Sequence, residues 1–143
     1  MRLTEADPDD GPGIERLLRA ADLPTEDLDS SPVRLFVARD DGQVVGVGGI
    51  ERYGTDALLR SVAVPDERRG NGYGTGIYHG IEARARDEGI ERLYLLTTTA
   101  DGFFADLGFE VAARDDAPAA IRGTTEFREL CSDAATCMRK AIG

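Results

Sequence analysis

The run Arg69-Gly70-Asn71-Gly72-Tyr73-Gly74-Thr75 constrains the fold most, because of what flanks it. A strand-like stretch, Ala57 to Val64, precedes it, and a helix-like stretch, Tyr73 to Glu88, follows. A strand feeding a glycine-rich turn that opens a helix leaves free backbone N–H groups converging on one small concavity. The positive end of the helix dipole is aimed at the same place. That geometry suits an anion, most often a phosphate. Glycine is needed where a Cβ would hold the phosphate oxygens off the amides or forbid the φ of the turn. A Walker loop requires a lysine after its second glycine, and the only lysine is Lys140. A dinucleotide fingerprint reads Gly-x-Gly-x-x-Gly, whereas Gly70, Gly72 and Gly74 alternate. A plain glycine-rich turn is the remaining alternative.

The rest of the chain supplies a strand-rich α/β order. Met1 to Ala6 reads as a first strand. Asp9 or Asp10 can cap a helix whose apolar positions Ile14, Leu17, Leu18 and Ala21 recur at helical spacing. Leu23-Pro24 ends it, and a short second helix is expected over Thr25 to Asp29. Val33 to Arg39 and Val44 to Glu51 form a hairpin around Asp40-Asp41-Gly42-Gln43. Gly46, Gly48 and Gly49 weaken its second strand but let a ligand approach the backbone. After the helix from Tyr73, stopped by Gly89, come a strand over Glu91 to Thr99 and a short helix over Ala100 to Leu107. A strand over Phe109 to Ala113, a helix or irregular lid over Pro118 to Leu130 and a last strand over Thr136 to Ile142 complete the order.

At 143 residues the chain is expected to be one domain, residues 1 to 143, with no linker or repeat dividing it. No apolar run approaches a membrane span and no signal pattern opens the sequence, so a cytoplasmic protein is expected. The net charge of −10 repels nucleic acid and anionic lipid, and neither is expected as a partner. Cys131 and Cys137 are too few for a disulfide scaffold. They read as two reduced thiols, with a pair or a soft-metal site as the minority view and no metal expected.

The spacing Arg69-x-x-Gly72-x-Gly74 resembles the pyrophosphate-binding signature of the GCN5-related N-acetyltransferases, the GNAT superfamily. Ser61-Val62-Ala63-Val64-Pro65 is similar to that family's central strand, and Phe103-Phe104-Ala105-Asp106-Leu107-Gly108-Phe109 to its late helix-to-strand segment. Leu59 to Val64 and Leu95 to Ala100 resemble amino-acid N-acetyltransferases. The whole pattern, with its Cys131…Cys137-Met138 tail, most resembles the small acetyltransferases associated with arsenic-resistance operons. The resemblance implies a single-domain GNAT fold: a mixed central β-sheet with splayed parallel strands, flanked by helices. It implies acetyl-CoA as co-substrate, and a homodimer is an expectation it carries because family members are often dimers.

In such a fold the splayed strands would be Ala57 to Val64 and Glu91 to Thr99. Backbone groups of Val62, Ala63 and Val64 would bond the pantetheine as an added strand. The Val62 N–H would polarise the thioester oxygen. Arg69, Gly70, Asn71, Gly72, Tyr73, Gly74 and Thr75 would hold the pyrophosphate, with Thr97, Phe103 and Phe104 beside the cofactor. Thr97 stands where the family often has an asparagine. Phe104 stands where it often has the tyrosine that protonates the departing thiolate. Water, or Tyr53, Tyr78 or Tyr94, would serve instead, or the thiolate would leave unassisted, being a competent leaving group.

The reaction implied is direct attack by a neutral amine, for which a carboxylate acting through water is expected to take the ammonium proton. Glu51 is the candidate, and a solvated strand-end glutamate is its alternative. Arg60 first and Arg122 second are candidates to grip the carboxylate of an amino-acid-like acceptor. Surface arginines are the alternative reading for both. Acetylation of a protein N-terminus or lysine is a second enzyme reading, and an acetyl-CoA-binding sensor without turnover is a third. The acidic, arginine-dominated composition also resembles cytoplasmic proteins of salt-loving organisms, whose carboxylate repulsion needs screening. The melting temperature is therefore expected to rise from millimolar to molar salt. Equal values at both would contradict that reading.

Overall fold

Gly46 and Gly48 mark where the sheet and its main helix meet. The computed structural model describes residues 1–130 and 134–143. In chain order it shows β1 (Arg2–Glu5), α1 (Gly11–Ala20), β2 (Val33–Asp40), β3 (Gln43–Tyr53), β4 (Asp56–Ala63) and α2 (Tyr73–Asp87). There follow β5 (Arg92–Thr97), α3 (Asp101–Asp106), β6 (Glu110–Val111), α4 (Ala119–Arg122), a π-helical turn (Glu126–Leu130) and β7 (Thr136–Ala141). A Cβ on Gly46 would lie 2.4 Å from Ile77 Cδ1, and one on Gly48 2.6 Å from Ile81 Cδ1. These glycines let α2 sit down on β3, where the sequence suggested close approach of a ligand.

Among the described residues, seven strands form one mixed sheet in the order β1-β2-β3-β4-β5-β7-β6. β4 and β5 are the parallel pair, joined through α2; the other pairings are antiparallel. Leu58 and Leu59, adjacent in β4, point to opposite faces. Leu59 joins Ile77, Ile81, Ala85, Leu93, Leu95 and Phe104 in the core under α2 and α3. Leu58 joins Tyr94, Ile121, Phe127 and Cys137 under the segment after β6. α1 adds Ile14 and Leu18 against Val37, Val47 and Ala63. No helix among the described residues is long and apolar enough to cross a membrane.

β4 carries the irregularity that shapes the site. The register with β3 shifts between Val47 and Gly49, so Ser61 and Val62 bulge opposite Gly48. Ser61 adopts φ 60, a left-handed value rarely taken by a residue with a Cβ. β4 and β5 part before the bulge is reached. Their pairing runs from Asp56↔Arg92 to Leu58↔Tyr94, although the strands continue to Ala63 and Thr97.

Three expected elements differ. Thr25 to Asp29 forms consecutive turns, with Leu28 N donating to Thr25 O and Ser30 N and Ser31 N donating to Asp27 O. Five residues behind a proline cannot nucleate a helix well, and the Asp27 side chain is drawn inward. The strand expected over Phe109 to Ala113 is only Glu110–Val111. The segment Pro118 to Leu130, expected as a helix or an irregular lid, is two short pieces, α4 and the π-helical turn, and not one continuous helix.

Candidate active site

The glycine turn reaches the conformation expected of an anion cradle. Gly70 and Gly72 have φ of 86 and 78, and Gly72 caps α2 without a side chain. A Cβ on either would meet nothing within 4 Å, so the demand for glycine there is conformational rather than steric. The first-turn amides of Tyr73, Gly74 and Thr75 precede any intrahelical acceptor. The turn is braced from behind: Asn71 Nδ2 donates to the Arg68 carbonyl (3.0 Å) and the Tyr73 hydroxyl to Asp40 (2.7 Å). Arg68 donates to Gln43. The exposed Arg69 reaches back, its Nε to the Val64 carbonyl at 3.2 Å and its Nη1 2.9 Å from Asp66. A groove of about 570 Å³ runs between α1 and this turn, touching Ile14, Leu17, Val64, Pro65 and Arg69, and leaves that side of the turn open.

The remaining expected cofactor residues divide. Val62 packs half-buried against the α2 core and Ala63 lies under α1. Phe103 leans over the start of α2, where a Cβ on Gly74 would lie 3.3 Å from its ring. Phe104 belongs to the core, edge-on to Phe109 at 5.6 Å. The Thr97 hydroxyl accepts from the Ala100 amide (3.0 Å) and so shapes the entry to α3. His79 is on the exposed side of α2, 3.6 Å from Glu82.

Arg60 and Glu51 lie elsewhere than the sequence suggested, at the centre of a buried polar cluster. The Arg60 side chain is 0% exposed. Its Nη1 and Nη2 grip Asp27 bidentately at 2.5 and 2.7 Å, and Nη1 also donates to Glu51 at 2.8 Å. Its Nε is 3.0 Å from Glu126 Oε2 and 3.3 Å from Ser61 Oγ. With its donors so engaged, Arg60 holds the protein's own carboxylates rather than standing free for a substrate. Glu51, expected at an accessible strand end, is 1% exposed because β3 continues to Tyr53, whose hydroxyl donates to it at 2.5 Å. Arg122 is exposed on α4. Asp27 and Glu126 were missed because each enters from an irregular segment, 33 and 66 positions from Arg60 in the chain. No local spacing signals that meeting.

The electrostatics follow from burial opposed by pairing. Burial works against the Arg60 charge, but the carboxylates outweigh it and keep the guanidinium firmly protonated. Burial would raise Asp27, yet hydrogen bonds from Arg60 and Ser31 hold it below the usual carboxylate range. Glu126 goes the other way: burial pushes it up to about 7, Arg60 pulls back, and Glu51 and Asp27 add to the rise. Burial raises Tyr53, Tyr78 and Tyr94, with Glu51 and Glu82 adding to the first two, so none becomes a better acid for a leaving thiolate. Cys137 is buried with its thiol pushed up by that burial, and Cys131 lies outside the described residues. Among the described residues, no group of three or more His, Cys, Asp or Glu side chains could hold a metal ion.

A sequence profile of the Acetyltransferase (GNAT) family matches residues 3–109, and the chain belongs to that family. It is 30% identical over 125 residues to an amino-acid acetyltransferase of Ralstonia nicotianae, covering 81% of this chain and 28% of that protein. An uncharacterised N-acetyltransferase of Chlorobaculum tepidum is 34% identical over 60% of this chain and 56% of its own length. The fold superposes on N-acetylglutamate synthase of Neisseria gonorrhoeae, solved with coenzyme A and N-acetyl-glutamate, at TM-score 0.82 and 21% identity. That match covers 99% of this chain and 35% of the other. A Mycobacterium tuberculosis protein solved with CoA matches at TM-score 0.81 and 23% identity, over 99% of both chains. The chain thus spans about a third or less of the amino-acid acetyltransferase and synthase it matches.

The two oppositely shifted carboxyls make opposite contributions to the pH dependence of stability. An unfolded glutamate releases its proton near 4.5 and folded Glu126 near 7, so the folded state binds that proton more tightly. Stability from this group is full below about 4.5 and is lost as pH rises through about 7, on the order of 3 kcal/mol in all. Asp27, with its folded value lowered, contributes above its unfolded value of 3.8 and loses that contribution only in stronger acid. Melting temperatures of Glu126→Gln minus wild type are expected to become more positive from pH 5 to pH 8. A difference independent of pH would contradict the assignment.

Proposed function

We propose that the chain is an acetyl-CoA-dependent N-acetyltransferase acting on the amine of a small, amino-acid-like acceptor. The carrying observation is that β4 loses its pairing with β5 after Leu58, in the strand that leads into the glycine turn. An extended pantetheine amide chain fits such a gap as an added strand. Its pyrophosphate would reach the α2 amides, with Arg69 beside them. The Val62 N–H, in the bulge itself, is the donor for charge developing on the thioester oxygen. The Ralstonia and Neisseria relatives support an amino-acid acceptor.

The Arg60 cluster provides the negative surroundings that an ammonium group seeks. Glu51 belongs to it, together with Asp27 and Glu126. Arg60 fixes these carboxylates, and Arg122 is the guanidinium assigned to the acceptor's own carboxylate. The burial of Phe104, which brings no acidic proton to the thiolate, favours a second reading: a module that binds acetyl-CoA without turnover.

Thiol release from acetyl-CoA with a panel of free amino acids and simple amines separates the two. Turnover with at least one amino acid is expected. Arg122→Ala should raise the KM of that acceptor roughly tenfold, the loss of one charge-assisted hydrogen-bonded contact, with the KM of acetyl-CoA unchanged. Binding of acetyl-CoA without thiol release for any acceptor would overturn the transferase reading in favour of the module.

A further inference from the structure

We infer that Glu126, carried on the π-helical turn after α4, is the group that takes the proton from the acceptor's ammonium. This rests on the transferase reading above. The cluster that holds Glu126 is anchored by Arg60, two residues before Val62 on β4, and so adjoins the place where the acetyl group would be presented. Within it the three carboxylates are unequally held. Asp27 takes two hydrogen bonds from Arg60 and one from the Ser31 hydroxyl at 2.7 Å. Glu51 takes one from Arg60 and one from Tyr53. Glu126 has the Arg60 Nε contact, on a nitrogen shared with Ser61.

The charged groups acting on Glu126 are therefore Arg60 from β4, Glu51 from β3 and Asp27 from the turns after α1, with Tyr53 bonded to Glu51 and Ser61 to Arg60 behind them. Three carboxylates against one guanidinium leave the buried cluster two negative charges in excess when all are ionised. Protonating the least restrained carboxylate, or admitting a cation beside it, relieves that excess. An ammonium that hands its proton to Glu126 does both in turn. The value of about 7 is close to what proton exchange at neutral pH demands. Single-turn π segments also occur often at functional sites.

The balance is simple. The ammonium gives one proton to the Glu126 carboxylate, and the freed nitrogen lone pair forms the C–N bond to the acetyl carbon. The C–S bond breaks, and the thiolate takes a proton from the acylated nitrogen. Glu126 then returns its proton to solvent, so one proton is released per amide formed.

The test is the pH dependence of kcat/KM for the acceptor, at saturating acetyl-CoA, in wild type, Glu126→Gln and Glu126→Asp. Wild type should show an acidic limb with its midpoint near 7. Glu126→Gln should fall roughly a hundredfold at pH 7 and recover partly toward the acceptor's own pKa, with the KM of acetyl-CoA unchanged. Glu126→Asp should keep the limb at reduced rate. A Glu126→Gln enzyme with the wild-type rate and limb overturns the assignment. If that variant does not fold, carbon-13 titration of glutamate carboxyls in the wild type decides: a midpoint near 7 supports Glu126, and ordinary values throughout overturn it. A wild type with that titration but no thiol release supports the Glu126 titration while overturning the transferase reading on which its role depends.

Discussion

Ser61 holds a left-handed φ near the end of β4, three residues after that strand makes its last pairing with β5 at Leu58. A residue with a Cβ resists such a φ by roughly 1–2 kcal/mol, so the surrounding structure must hold it. It does so from both sides. Arg60 is sunk into its carboxylate cage on one face, and Gly48, opposite the bulge, lies close under Ile81 on the other. Straightening β4 would disturb both. The gap between the strands opens after Leu58, the cluster hangs on Arg60, and the start of α2 follows within a dozen residues, so all three lie close to that irregularity along the chain.

The buried charges are costly to assemble and more costly to break. Removing one partner of such a group typically destabilises by 3–5 kcal/mol, since the others remain buried and uncompensated. The cluster also ties together three distant segments, the turns after α1, the β3–β4 pair and the turn after α4. On the outside the chain carries a net charge of −10, yet the turn at Gly70–Gly72 offers amides and Arg69 to an anion. Short-range backbone donors can prevail there because surface charges farther than about 10 Å away are screened at ordinary salt.

Much of this was legible in the sequence, and the reason is local. Strand, glycine turn and helix follow one another without interruption from Ala57 to Glu88, so their periodicity and turn chemistry sit in one window. Gly72 was singled out as a backbone requirement and adopts φ 78. Glu51 reads in the sequence as a carboxylate for the acceptor's proton and Arg60 as a guanidinium for its carboxylate, but strand position does not reveal depth. Burial by the turns after α1 and the segment after β6 depends on contacts 33 and 66 positions away in the chain. Glu126 carried no signal at all: Thr-Thr-Glu-Phe-Arg reads like any solvated turn. Phe104 was legible only in part, since the resemblance sets it where a tyrosine is often found, while its place against Phe109 has no signal in the chain.

The central claim is that an acyl carrier completes the sheet where β4 leaves β5. Amide hydrogen exchange across Arg60 to Thr75, with and without acetyl-CoA under conditions where calorimetry shows it bound, measures this directly. The account predicts slowed exchange at Val62 and Val64 and in the first turn of α2, with β1 and β2 unchanged. Bound cofactor that leaves those amides exchanging at their free rates would contradict it.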